Sequence, residues 1–191
     1  MLKEHARNYL NDLVGSIDKL PIHMIEKIVK ELKTAYKKGK HIFIMGNGGS
    51  AATASHFVCD LSKGTIVSGK KRFRVIGLTD NVPLMTAFGN DASYEDIFKS
   101  QIENIIEKGD IAIVFTGSGN SPNVIKAVKY ANSAGATTIG FTGFDGGKLR
   151  RHAKICLVAP SRNMERIEDI HLILEHLIKL FLFEEIRAGR I

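Results

Sequence analysis

Two stretches of this sequence set glycines beside hydroxyl side chains directly after a short apolar run. One is Gly46-Asn47-Gly48-Gly49-Ser50-Ala51 after HIFIM, and the other is Thr116-Gly117-Ser118-Gly119-Asn120-Ser121-Pro122 after IAIVF. Each leads into helical spacing. The start of a helix presents unpaired N–H groups and the positive end of the helix dipole, and glycine lets that backbone approach an anion closely. Asn47, Gly48, Gly49 and Ser50 from the first loop, with Thr116, Ser118 and Ser121 from the second, can hold a phosphate monoester using neutral donors alone. Either loop by itself could be a plain capped helix, because serine caps helices routinely. Two such loops at the ends of two strands point to one ligand held from both sides. The first loop also fits the permissive G-x-G-x-x-A dinucleotide fingerprint, with Asp80 as its acidic partner after the second strand. A dinucleotide has no use for the second, serine-rich loop. No G-x-x-x-x-G-K-[ST] is present, which removes a Walker-type NTPase.

The acid and base candidates lie on two helical stretches. His56 and Asp60 stand four apart after the first loop and so share one helix face. Near the C-terminus, Glu168, His171, Glu175 and His176 interrupt an apolar stripe of Ile170, Leu174, Leu177 and Phe181. Imidazoles and carboxylates can act as base, acid or metal ligand. For His171 and Glu175 the expectation is an exposed helix face. His56 and Asp60 share their helix with the loop that grips phosphate, which brings them within reach of the rest of the ligand. Glu168-x-x-His171 is half of a di-iron motif whose second copy is missing, which argues against a di-iron bundle. Glu168 and His176 are eight apart, ~12 Å along a helix, yet each ligand of an ion must come within ~2 Å of it. Both can serve one ion if different subunits supply them, which places the active site at a subunit interface.

These residues need a scaffold that brings strand ends and helix starts together. Residues 3–19 and 22–38 have helical spacing and are broken at Pro21, an N-terminal helical hairpin. After Gly39, short apolar runs at 41–45, 73–78, 111–115, 137–141 and 155–159 read as buried strands. Helical stretches at 51–61, 94–107 and 122–134 lie between them, and residues 164–187 form a long C-terminal helix. Alternation of this kind predicts a parallel sheet with helices on both faces. The fold class is α/β: a three-layer α/β/α sandwich with a five-stranded parallel sheet, in a single domain over residues 1–191.

Composition narrows the partners. The chain has 191 residues, 44% of them hydrophobic and 25% charged, enough apolar material for a sizeable core. Its longest apolar runs, such as Ile111–Phe115, are far short of the ~20 residues a bilayer span requires. The polar N-terminus lacks the apolar segment of a secretory signal, so a cytoplasmic protein with no membrane contact is expected. Lys and Arg number 27 against 20 Asp and Glu. They are dispersed, and the short clusters at 37–40, 70–72 and 150–151 lack interleaved aromatic residues. A surface that attracts anionic metabolites fits this better than nucleic-acid binding. Cys59 and Cys156 share no metal-type spacing and sit in apolar stretches, so buried reduced thiols are expected.

Taken together, GNGGSAATASHFVCDL (46–61), FGNDASYEDIF (88–98), TGSGNSPNVIKA (116–127), TGFDGGKL (142–149) and ERIEDIHLILEHLI (165–178) resemble the sugar isomerase (SIS) fold, and most closely the phosphoheptose isomerase family. The resemblance covers nearly the whole chain. It implies an aldose–ketose isomerisation, sedoheptulose 7-phosphate to D-glycero-D-manno-heptose 7-phosphate, feeding glycans such as lipopolysaccharide. It also implies a homotetramer, with the N-terminal hairpin in its interface and one zinc ion per site. By position, Ser50, Thr116, Ser118 and Ser121 would hold the phosphate, and Asn47 and Asp91 the sugar. His56, Asp60, Glu168 and His176 would occupy the metal positions, with Glu168 also beside substrate and with Asp60 and His176 as the proton-transfer pair. Three positions depart from the family pattern. Asp60 stands where Glu is usual, which draws a base back by a methylene. Glu168 stands where Gln is usual, and its added charge should tighten a divalent cation. Gly117 stands where a hydroxyl is frequent. The alternatives are a non-catalytic SIS adaptor like the one that binds the bacterial replication initiator DnaA, and an isomerase for another sugar phosphate. Retention of His56 and His176, with acids at both intermediate positions, favours the enzyme.

Overall fold

The computed structural model describes residues 1–191. Its strands are β1 (His41–Gly46), β2 (Arg74–Gly77), β3 (Ile111–Phe115), β4 (Thr137–Thr142) and β5 (Ile155–Val158). All neighbours pair in parallel, in the order β2-β1-β3-β4-β5. The helices are α1 (Leu2–Ile17), α2 (Ile22–Lys38), α3 (Gly49–Ser62), α4 (Val82–Asp91), α5 (Lys99–Ile102), α6 (Pro122–Ser133), α7 (Leu149–His152) and α8 (Met164–Arg187).

The two-residue period of a strand explains why the runs are apolar throughout. On β1, Ile42 and Ile44 join one core while Phe43 and Met45 join the other; on β3, Ile111, Ile113 and Phe115 oppose Ala112 and Val114. The first core is closed by α2, α3 and α8 through residues such as Ile28, Leu32, Phe57, Ile170 and Leu174. The second is closed by α5, α6 and α7 through Ile102, Val124, Val128 and Leu149. From Ile42 to Met45 on β1 and from Ile111 to Phe115 on β3, every side chain thus faces hydrocarbon, as a sheet covered on both sides demands.

The strand order reverses between β1 and β3. The α3 crossover leaves on one face and α6 on the other, so the carboxyl ends of these adjacent strands splay apart and open a crevice, the usual ligand position in an open parallel sheet. Both glycine–serine loops lie there.

Three local expectations change. Residues 82–91 form a helix that the apolar pattern does not announce, because α4 buries no side chain. It is held instead by Asn81, whose Oδ1 accepts a hydrogen bond from Leu84 N at 3.1 Å, and by Pro83 in its first turn. Residues 94–107 are not one helix but a 3-10 turn (Tyr94–Asp96) followed by α5. Asp96 there draws Ser93 Oγ at 2.7 Å and Lys126 Nζ at 2.7 Å, and Gln101 Nε2 donates to Ile97 O at 2.6 Å. These side-chain bonds compete with a continuous helix. Cys59 is exposed, on the side of α3 opposite the buried Phe57 and Leu61, and Cys156 is half-buried, so the two are free thiols but not core residues.

No helix is long and apolar enough to cross a membrane. The N-terminal α1 buries none of its residues. It leans on α8 through a Tyr9–Asp169 hydrogen bond and an Arg166–Asp12 ion pair at 2.8 Å, and it leaves Leu2, Leu10 and Val14 exposed.

Candidate active site

At the crevice, Asn47, Ser50, Thr116, Gly117, Ser118, Ser121, Met164 and Glu168 line a cavity of ≈ 160 Å³. Its hydroxyl groups suit an anion, and Glu168 sets one carboxylate beside them. Ser121 is the N-cap residue of α6, yet its hydroxyl makes no capping bond. Ser50 is buried in the first turn of α3 and makes no capping bond either, since the N-cap there is Gly48. Helix capping therefore does not account for either serine. Thr116 Oγ1 accepts from Gly119 N at 3.3 Å and Ser118 Oγ accepts from Asn120 N at 3.2 Å. A hydroxyl that accepts still has a proton to donate. The two loops, with two helix starts behind them, thus supply hydroxyl donors to one small space.

Neighbouring residues shape this cradle. Asn47 is locked in a reciprocal amide pair with the buried Asn123, at 2.9 and 3.0 Å, and its Oδ1 also receives the Tyr94 hydroxyl at 3.2 Å. A Cβ at Gly117 would strike the Met164 thioether, so the glycine in place of a hydroxyl residue is matched by that methionine. A Cβ at Gly49 would lie 2.8 Å from both carboxylate oxygens of Glu168, which crowd the start of α3. Tyr94 and Asn123 lie within the motifs and Met164 just before one, but their spacing does not single them out, because each acts through a contact distant in sequence. Asp91 is exposed at the end of α4, and the hydrogen bond given to its side chain is from Asn90 at 2.8 Å. Asp80, the partner a dinucleotide would need, accepts hydrogen bonds from Ser55 and Thr79 instead.

From the cradle, α3 and α8 run side by side in the same direction, as the succession of contacts Gly49–Glu168, His56–Glu175 and Asp60–His176 shows. Farther along them, one ligand atom each from His56, Asp60 and His176 lies within 4.8 Å of the others. The two imidazole rings meet edge to face with centroids 4.9 Å apart, and His176 Nε2 is 4.0 Å from Asp60 Oδ2. Glu168 is not in this group: eight residues of helix, ~12 Å, separate it from His176 of its own chain.

The expected exposed face for His171 and Glu175 is overturned. Both side chains are buried, because the buried stripe of α8 runs through Ile167, Ile170, Leu174 and Ile178 and takes them in, while Leu177 and Phe181 are exposed. His171 Nε2 sits 3.2 Å from Thr142 O, among the rings of Phe115 and Phe141. Burial pulls its pKa down to about 4, which makes it a neutral core residue tying α8 to β4. Glu175 packs beside His56, with Oε1 3.1 Å from Nδ1. Burial, and secondarily the charge of Asp60, push its pKa up to about 8.

The SIS domain family model matches residues 7–143. The phosphoheptose isomerase of Aliarcobacter butzleri is 42% identical over 154 residues, covering 81% of each chain. That of Aquifex aeolicus is 42% identical over 147 residues, covering 77% of this chain and 76% of the relative. Among solved structures, a phosphoheptose isomerase from Francisella tularensis superposes with a TM-score of 0.89 at 26% identity, over 96% of this chain and 99% of that one. The corresponding enzyme from Neisseria gonorrhoeae gives 0.88 at 27% identity, over 95% and 98%. The chain belongs to the SIS domain family and, within it, to the phosphoheptose isomerases.

Proposed function

We propose that this isomerase converts sedoheptulose 7-phosphate to D-glycero-D-manno-heptose 7-phosphate, with Ser50, Thr116, Ser118 and Ser121 gripping the phosphate. The observation that carries the assignment is the pair of serine loops converging on one cavity while their serines leave the helix caps unused. The reaction removes a proton from the carbon beside a carbonyl, passes through an enediolate, and returns the proton to the neighbouring carbon. Asp60 and His176 are assigned the two transfers. The phosphate grip acts on a remote, unreactive part of the substrate and contributes positioning.

A divalent cation fits the His56, Asp60 and His176 group. Asp60 Oδ2 is buried without a hydrogen-bond partner, and no Lys or Arg pairs with that carboxylate. Two imidazoles and a carboxylate suit zinc among other ions. A bound ion would stabilise the negative charge that develops on the enediolate oxygen.

Geometry favours sites shared between subunits. Seven residues of α3, ~10 Å of helix, separate the Gly49 end, where the cradle lies, from His56. A cradle of one subunit with Glu168 beside it, facing the histidine group of a neighbour, would close that gap. The exposed Leu172, Leu177, Leu180 and Phe181 of α8, and the apolar side chains of α1, offer the surface for such an assembly. A homotetramer with interfacial sites is the arrangement proposed.

The test is turnover across five-, six- and seven-carbon ketose phosphates, with and without a chelator. The seven-carbon ester is expected to be the best substrate, and chelation to lower its turnover by at least about tenfold, with recovery on adding zinc. A preference for a shorter sugar would reassign the substrate. No turnover with any of them, together with no bound metal, would favour the adaptor.

A further inference from the structure

Two glutamates on α8 are buried, and they are treated differently. Glu185 is compensated by Lys33 Nζ at 2.5 Å and Arg190 Nε at 2.5 Å. Glu175, with 0% of its side chain exposed, has no Lys or Arg at all. Neither of its oxygens has a hydrogen-bond partner, and His56 Nδ1 lies 3.1 Å from Oε1, so a small turn of the half-exposed imidazole brings its N–H into line. Burying a carboxyl group with no partner is costly, and Glu175 lies directly behind His56, one of the three residues of the histidine group.

We infer that Glu175 is a positioning residue for the metal: it accepts the Nδ1 proton of His56 and so leaves Nε2 as the ring nitrogen whose lone pair is free for the ion. The inference rests on the metal assignment proposed above and adds to it a buried carboxylate behind one ligand. His56 is 44% exposed and needs such an anchor, because a free ring would rotate and exchange tautomers. A carboxylate that receives the outer N–H fixes both ring orientation and tautomer and raises the basicity of the nitrogen that binds.

Zinc affinity of the full chain, measured by competition with a chromophoric chelator, tests this in wild type, Glu175→Gln and Glu175→Leu. Gln keeps the shape and an acceptor oxygen without the charge; Leu removes both. The affinity is expected to fall about 10-fold for Gln and about 100-fold for Leu. The metal-free Tm of the Gln variant should stay close to that of wild type, because a buried carboxyl group without a partner is replaced by an amide of the same shape. A purely structural role would lower that Tm and leave zinc affinity unmoved. If the Gln variant binds zinc within about twofold of wild type, or if wild type binds none, the inference is overturned. Turnover is scored separately: a wild-type chain inactive on every sugar phosphate would sink the isomerase assignment, and a Gln-dependent loss of affinity would still uphold the role of Glu175.

Discussion

His176→Gln is expected to lower kcat by about 10²- to 10⁴-fold, the usual contribution of a positioned acid or base, while KM for the sugar phosphate changes by little. Glutamine matches much of the size of the imidazole and keeps its hydrogen-bonding capacity, but it cannot carry a proton between substrate carbons. The residue is half-exposed on α8 and holds no part of the core, so the fold should tolerate the change. Asp60→Ala should give a loss of the same order. Because Asp60 Oδ2 and His176 Nε2 lie 4.0 Å apart and act on the same intermediate, the double variant should be little worse than either single one. Steady-state rates, measured with metal content determined on the same samples, check this. Near-normal kcat in both single variants would remove the pair from the chemistry.

The second large effect is expected at the other end of the helix pair. Ser50→Ala and Ser121→Ala each delete a hydroxyl with no capping role in the fold. Stability should therefore stay near wild type. A hydrogen bond to a charged group contributes about 1.5–3 kcal/mol, so each change should lower kcat/KM by roughly 10- to 100-fold, and the pair by about 10²- to 10⁴-fold. The loss should fall mainly on KM, and inorganic phosphate should weaken as an inhibitor in parallel. A double variant with unchanged kcat/KM would mean that phosphate is held elsewhere.

Much of this site was legible in the sequence, and the misses share a cause. Strands β1 and β3 stood out because they are buried on both faces, which calls for an unbroken apolar run; the edge strands β2 and β5 are only partly buried, and their short apolar runs bounded by polar or glycine residues marked them instead. The two loops stood out because glycines and hydroxyls cluster where strands end. Helix α4 was not legible from hydrophobic spacing because it buries nothing, although its Asn81 and Pro83 start signal was present. On α8 the expected stripe holds at Ile170 and Leu174 but not at Leu177 and Phe181, which are exposed: the buried face widens instead toward Ile167, His171, Glu175 and Ile178. An i, i+4, i+8, i+11 reading from Ile167 contains those four, but the polar character of His171 and Glu175 hid it. Asn123 and Met164 were out of reach, since their roles depend on which loops the sheet order makes neighbours.

The most direct test is a crystal structure of the protein soaked with a ketose phosphate. The phosphorus is expected in the cavity between Ser50 and Ser121, with the carbonyl end of the sugar directed to a His56, Asp60 and His176 group across a subunit boundary. A phosphate bound outside those loops, or a sugar pointing away from every such group, would contradict the assignment of both halves of the site.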